Sequence, residues 1–196
     1  NPSLQVSSFT NVNKLSETSF ILNAPVEKQF GEAFTFKIEG KADVTVYKTK
    51  NLVPDVKINN NVFQIAPSLV FSTPRFSING GIAPTWDNGK FIWLPNVFAE
   101  AYIAENVFAF QAGWVGRLTK NTYRNLSAVN PYLAAFTAQL NTKETEYYGG
   151  IKGTLGKHFN FNAKAGYVTY ENLPFFINDT ATDGKAFLIS NETKVK

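Results

Sequence analysis

Residues 34–46 alternate without a break. Phe34, Phe36, Ile38, Gly40, Ala42, Val44 and Val46 form one set, apolar or small throughout. Thr35, Lys37, Glu39, Lys41, Asp43 and Thr45 form the other, polar and charged in both signs. A period of two sends successive side chains to opposite faces of a strand. The run is more than twice the usual strand length of about 5–6 residues. At roughly 3.3 Å per residue it spans on the order of 40 Å. A soluble sandwich seldom needs that reach, whereas a tilted strand crossing a bilayer needs about 9–11 residues plus its overhang. The stretch points to a membrane β-barrel, with the apolar set toward lipid and the polar set toward an aqueous interior.

Nine further segments alternate similarly, near residues 4–11, 18–28, 61–71, 75–85, 91–103, 107–118, 144–155, 159–167 and 187–195. The expected fold is an all-β, antiparallel, up-and-down transmembrane β-barrel with about ten strands in this chain. Short connections near Gly31, Thr73, Glu105 and Gly156 alternate with longer ones near Asn13, Val53, Asn88, Tyr123 and Asp179. Such barrels have short turns at one rim and longer external loops at the other. Asp87-Asn88-Gly89 is a strong hairpin signal. No segment holds a 3.6-residue period, so essentially no helix is expected.

The same alternation assigns faces. Lys37, Glu39, Lys41, Asp43, Glu100, Arg117, Glu146, Lys152 and Lys164 are expected to face the lumen. Phe34, Phe36, Ile38, Val44, Val46, Phe108, Phe110, Trp114, Ile151, Phe159 and Phe161 are expected to face lipid. Small residues such as Gly40, Ala42, Gly80, Ala99, Ala112, Gly149 and Ala163 share the lipid side. A close-packed protein core wants larger groups, while acyl chains conform to any surface. Aromatics near segment ends (Phe34, Phe71, Trp86, Trp93, Tyr147, Phe159) match interfacial girdles.

Composition narrows the classes. No run reaches the 18 or more apolar residues of a membrane helix. Zero Cys removes disulfides, thiolate metal sites and cysteine nucleophiles. The net charge of +4 comes from three arginines and from lysines scattered through alternating strands. Nucleic-acid binders cluster such residues on one face, so no nucleic-acid site is expected. The chain reads as a single β-barrel domain over residues 1–196, incomplete at both ends. Thr193-Lys194-Val195-Lys196 stops within an alternating pattern, which suggests part of a larger barrel.

Residues 129–179 carry a resemblance. Asn130-Pro131-Tyr132-Leu133 precedes Leu140-Asn141-Thr142-Lys143-Glu144-Thr145-Glu146-Tyr147-Tyr148-Gly149-Gly150. Leu173-Pro174-Phe175-Phe176-Ile177-Asn178-Asp179 follows a Gly-Gly-Ile-Lys-Gly strand. This stretch resembles TonB-dependent-receptor-like outer-membrane β-barrel proteins of Bacteroidota. The resemblance implies an outer-membrane barrel. It does not extend to energised import: no plug domain or TonB box is recognisable, and Ala134-Ala135 stand where Pro-Glu is usual.

Little in the sequence points to catalysis. His158 is the only histidine, too few for a multi-histidine metal site, and its turn position reads as solvated. Asp179–Gly184 echoes a calcium loop but has Ala181 at the third position and Ser190 at the twelfth, so it is no EF-hand. A loose oxygen-ligand pair at Asp179 and Asp183 is left open. No catalytic residue, cofactor or metal is assigned. The leading expectation is a transport or partner-docking subunit of an envelope complex in the bacterial outer membrane. Its partners would be membrane lipid and other envelope proteins, the latter reached through loops near 119–143 and 171–185. One alternative is a barrel enzyme using Asp43 and Glu100 as an acid/base pair about 5–10 Å apart. The other is a soluble carbohydrate-binding sandwich with surface aromatics Trp86 and Trp93.

Overall fold

Alternation becomes strand over most of the chain. The computed structural model describes residues 1–11, 15–49, 56–104, 108–135, 140–155 and 159–196. Among them, β1 (Ser3–Thr10), β2 (Leu15–Phe30), β3 (Phe34–Thr49), β4 (Val56–Ser72) and β5 (Phe76–Ile82) open one antiparallel sheet. A short hairpin follows, β6 (Thr85–Asp87) and β7 (Lys90–Ile92). The sheet is completed by β8 (Pro95–Ala104), β9 (Phe108–Thr119), β10 (Thr142–Leu155) and β11 (Phe159–Glu171). Neighbours in sequence are neighbours in the sheet, in the order β1-β2-β3-β4-β5-β8-β9-β10-β11. The all-β, antiparallel, up-and-down expectation therefore holds. Closure is another matter: within this sheet β1 pairs only with β2 and β11 only with β10.

Three residues separate β2 from β3, β4 from β5, β8 from β9 and β10 from β11. These connections share one end of the sheet, and the longer ones share the other. The turn residues Glu105 and Asn106, the turn at Gly156 and Lys157 with the following His158, and the connections at Asn13 and Val53 lie outside the described residues.

The sheet rolls. Lys120, just past β9, donates through Nζ to the carbonyl of Asp43 on β3 at 2.9 Å. These strands are four places apart in the sheet order. In a flat sheet they would lie about 19 Å apart. Curvature of this size gives the sheet an inner face, which carries Asp43, and an outer face.

Two features differ from the expected strands. The segments near 75–85 and 91–103 each break, at Ala83-Pro84 and Trp93-Leu94. The register survives: Gly81 pairs with Asn96 and Thr85 with Ile92. Pro84 and Pro95 have no N–H for the ladder, and Ala83 N–H bonds the Leu94 carbonyl at 2.7 Å. At the tip Asn88 and Gly89 take φ of 50° and 85°, the left-handed pair that a two-residue hairpin turn requires. Above the break the sheet forks. Pairing of β8 with β9 stops at Asn96–Val115, while β9 stays paired with β10 up to Thr119–Thr142. A Cβ on Gly116 would lie 2.6 Å from Pro95 Cδ and 3.1 Å from Leu94 Cβ. The hairpin thus lies over the outer face of β9, burying Leu94 with Ala66 and Ala83 and packing Leu118 against them.

The expectation of no helix, with an external loop at 119–143, is corrected. That connection contains α1 (Tyr123–Val129). Its N-cap Thr122 accepts the Asn125 N–H at 3.1 Å. Glu17 on β2 accepts the Tyr123 N–H at 2.7 Å. Tyr123 and Leu126, three residues apart on one side of the helix, are buried with Leu15, Tyr47 and Leu133. Two turns are too short for periodicity to register. The presumed loop at 171–185 is also partly strand: β12 (Leu173–Asn178) pairs with β13 (Phe187–Glu192) as a separate hairpin, joined by a 3-10 turn at Thr180–Thr182. Residues 187–192 of that segment therefore join this hairpin, while Val195 makes an isolated bridge to Tyr170 at the edge of the main sheet. Phe176 and Ile189 from the hairpin pack on the α1 cluster.

Candidate functional site

The register places every assigned residue on a face. Starting from Asp43 and following paired positions across the sheet, Lys37, Glu39, Lys41, Asp43, Glu100, Arg117, Glu146, Lys152 and Lys164 all fall on the inner face. Phe34, Phe36, Ile38, Val44, Val46, Phe108, Phe110, Trp114, Ile151, Phe159 and Phe161 all fall on the outer one. Phe110 is 53% exposed and Asp43 only 5%. Ile38, Val44, Val46 and Phe161 are half-buried, and the other outer residues of this set are exposed. Within the inner set Asp43 and Glu146 are buried, Lys37, Glu100 and Lys152 half-buried, and Glu39, Lys41, Arg117 and Lys164 exposed. The apolar face is thus at least as open as the charged one, unlike in an ordinary soluble domain.

The inner face satisfies its charges by pairing them. Lys37 meets Glu27 at 2.9 Å. Arg117 bridges Glu144 at 2.6 Å and Glu146 at 3.3 Å, and Glu146 also takes Lys164 at 2.5 Å. The Lys164 ammonium sits 3.7 Å from the Tyr148 ring centroid. Lys152 pairs with Glu100 at 2.7 Å, and the Tyr102 hydroxyl donates to the same carboxylate at 2.9 Å. Glu39 and Lys41 are exposed on this face. Asp43 is held by Lys120, whose Nζ also donates to Thr45 Oγ1 at 2.8 Å. Burial pushes the Lys120 pKa down, by more than the neighbouring Asp43 carboxylate restores. Burial raises the Tyr123 phenol above its ordinary value.

The acid/base pair considered for an enzyme is not assembled. Asp43 pairs with Val62 on β4, whereas Glu100 pairs with Ser77, which pairs with Ser72 on β4. Ten residues along one strand separate the carboxylates by roughly 30 Å. Among the described residues no three His, Cys, Asp or Glu side chains converge as a metal site. Asp179 spends its Oδ1 capping the 3-10 turn, accepting from Ala181 N–H at 3.0 Å.

A buried amide network was not foreseen. Asn60 on β4 and Asn141 before β10 exchange side-chain hydrogen bonds at 2.9 and 2.8 Å. Asn141 donates to Asp87 at 2.6 Å, and Asn88 donates to Asn60 at 3.2 Å. The long connection and the β6–β7 hairpin are thereby tied to the same strand. With the α1 cluster, this network fills the long-loop end of the inner face. Asn-Gly and Asp-Asn at the hairpin tip were legible, but their partners lie 28 and 54 residues away.

The outer face is organised in rows. Val97, Trp114, Tyr147 and Tyr167 pair in succession across β8 to β11, and Trp114 stacks on Tyr147 at 5.6 Å. Phe63, Trp86 and Phe91 form a matching row across β4, β6 and β7. Toward the three-residue turns, Phe71 meets Phe34 at 4.7 Å and Phe76 at 5.4 Å. There Phe108 and Phe161 also meet, over Gly153, at 5.8 Å. On β4 the outward residues from Phe63 to Phe71 are all apolar, roughly 26 Å along the strand. Asn61, Asn59 and Lys57 lie beyond them on the same face. Comparison with protein-family models, curated proteins and solved structures returned no match.

Proposed function

We propose that this chain forms part of the wall of a bacterial outer-membrane β-barrel and acts as a docking or transport subunit of an envelope complex. The observation that carries the reading is the sorting of the two faces, with large apolar side chains exposed on the outer face and ion pairs on the inner one. In water, uncovered apolar area costs roughly 25 cal/mol per Å², and patches this extensive mark contact with a membrane or a protein. A bilayer removes that cost. At the tilt of about 35–45° usual in such barrels, the apolar stretch on β4 covers roughly 20 Å of the band of about 25 Å that they present, and the aromatic rows edge it as girdles do.

Docking is favoured over open passage. The α1 cluster occupies the long-loop end of the inner face, and paired charges of both signs line the rest. The outward side of that same end presents Val129 and Tyr132, 74% and 68% exposed. Partner envelope proteins would meet the subunit there. The resemblance of residues 129–179 to TonB-dependent-receptor-like barrels of Bacteroidota agrees with this placement.

All three tryptophans, Trp86, Trp93 and Trp114, belong to the outer face, which makes the test direct. The full chain is reconstituted in phosphatidylcholine vesicles carrying brominated acyl chains. Strong quenching of tryptophan emission is expected. A chain that stays monomeric and folded without detergent, with emission indifferent to bromine, would overturn the reading.

A further inference from the structure

Beyond the aromatic row Trp114–Tyr147–Tyr167, the next-but-one outward row is Leu118, Lys143 and Glu171, on β9, β10 and β11. The overlying β7 and the fork of the sheet turn that row into the floor of a cleft of about 550 Å³. This is within the size range of small-molecule sites, about 300–1,000 Å³. Trp93 forms one wall. It is 60% exposed, and Phe91 holds its ring edge-on at 5.1 Å. Polar groups line the rest. Lys143 and Glu171 pair across the floor at 2.7 Å, while Lys90, Asn172 and Asp87 stand around it. Asp87 is fixed by amide donors from Asn141 and Asn88 at 2.6 and 3.0 Å.

Charge and shape select the ligand. Two ammonium groups face two carboxylates, so the cleft is formally neutral and offers no surplus to a phosphate or a polycation. It does offer one rigid aromatic plane and several fixed donors and acceptors. A pyranose ring matches both: its C–H face lies on an indole, and its hydroxyls donate to carboxylates and accept from amides and ammonium groups. We propose that this cleft binds a neutral saccharide. The proposal does not rest on the membrane reading, because Trp93, Lys143 and Glu171 frame the cleft whether or not the apolar face meets lipid. The sugar could be a free oligosaccharide or the headgroup of a glycolipid, and the two share this chemistry.

The full chain in detergent micelles is applied to an array of neutral and acidic oligosaccharides, and the best neutral probe is then titrated. At least one neutral oligosaccharide is expected to bind. Trp93→Ala should weaken it about tenfold or more, as truncation of an aromatic anchor does. Trp93→Tyr, which keeps a plane, should retain most of the binding, and Trp114→Phe should leave it unchanged. Displacement from vesicles containing lipopolysaccharide by the free sugar assigns the ligand to solution; retention on those vesicles alone assigns it to a headgroup. The proposal falls if no neutral glycan binds, if Trp93→Ala binds as well as the parent, or if extended peptides compete equally by pairing with the free edge of β7.

Discussion

Lys120 and Asp43, 77 residues apart, form a buried ion pair across the rolled sheet, each side chain 8% exposed. The pair links the long β9–β10 connection to the middle of the longest alternating stretch. Removing one partner strands the other in a dry site. Asp43→Asn is expected to destabilise the fold by about 3–5 kcal/mol. Asp43→Leu combined with Lys120→Met should recover most of that loss. Urea unfolding midpoints for the parent, the single variant and the double variant check both outcomes.

The same pair predicts a pH response. The folded-state pKa of Lys120 is lowered by burial. Between that value and the ordinary lysine range the unfolded chain holds a proton that the folded chain has released. Stability therefore rises with pH across this window, and below it the charged amine costs stability in full. Unfolding free energies followed upward in pH toward the ordinary lysine range, about pH 10.5, should show a rise that Lys120→Met abolishes.

A charge on the outer face separates membrane from water. Phe110 is exposed, so Phe110→Lys would cost nothing in a soluble protein. In a bilayer it should cost about 2–4 kcal/mol near the midplane. Refolding yield into vesicles, compared between Phe110→Lys and the inner-face variant Lys152→Gln, provides the contrast.

Anchoring of α1 by Glu17 is testable by proteolysis. Glu17 accepts N–H groups of both Tyr123 and Arg124, at 2.7 and 3.4 Å. Glu17→Ala removes the acceptor from the first turn of a short helix. Trypsin cleavage after Lys120 and Arg124 should accelerate several-fold, while Glu27→Ala, at an exposed surface pair, should change nothing.

Adjacent glycines on β10 are expected to differ. A Cβ on Gly150 would lie 2.4 Å from the Ala163 carbonyl, a backbone atom of β11, whereas a Cβ on Gly149 meets nothing closer than 3.9 Å. Gly150→Ala should destabilise by about 1–3 kcal/mol through forced separation of the two strands. Gly149→Ala should be near neutral. Thermal melting of the two variants decides this.

Strand identity and face were legible because side-chain direction depends only on parity along the chain. A run such as 34–46 states its two faces without reference to any partner. The break at Ala83-Pro84 was less visible, since the residues on either side keep the same parity and only the ladder is lost. Helix α1 escaped because its seven residues offer only two i,i+3 apolar pairs, Tyr123–Leu126 and Leu126–Val129, over less than two full turns. Its one local cue was Thr122 as an N-cap. The Asn60–Asn141 exchange and the Lys120–Asp43 pair escaped for a different reason: they depend on how far the sheet curls, a property of the whole array. The Trp93 cleft depends on the fork, which in turn depends on Gly116 admitting Pro95 and Leu94.

The outermost strands of the main sheet leave a seam. Among the described residues the outward-turned amides and carbonyls of β1 and β11 have no strand partner in that sheet, with Tyr170 of β11 bridged to Val195 from outside it; were these edges to lie in hydrocarbon, such groups would have to be matched. The girth of a cylinder built from these strands is therefore not fixed by them. In a barrel of the kind proposed, whatever zipped along the seam would set the circumference, adding roughly 4.8 Å for every strand it contributed.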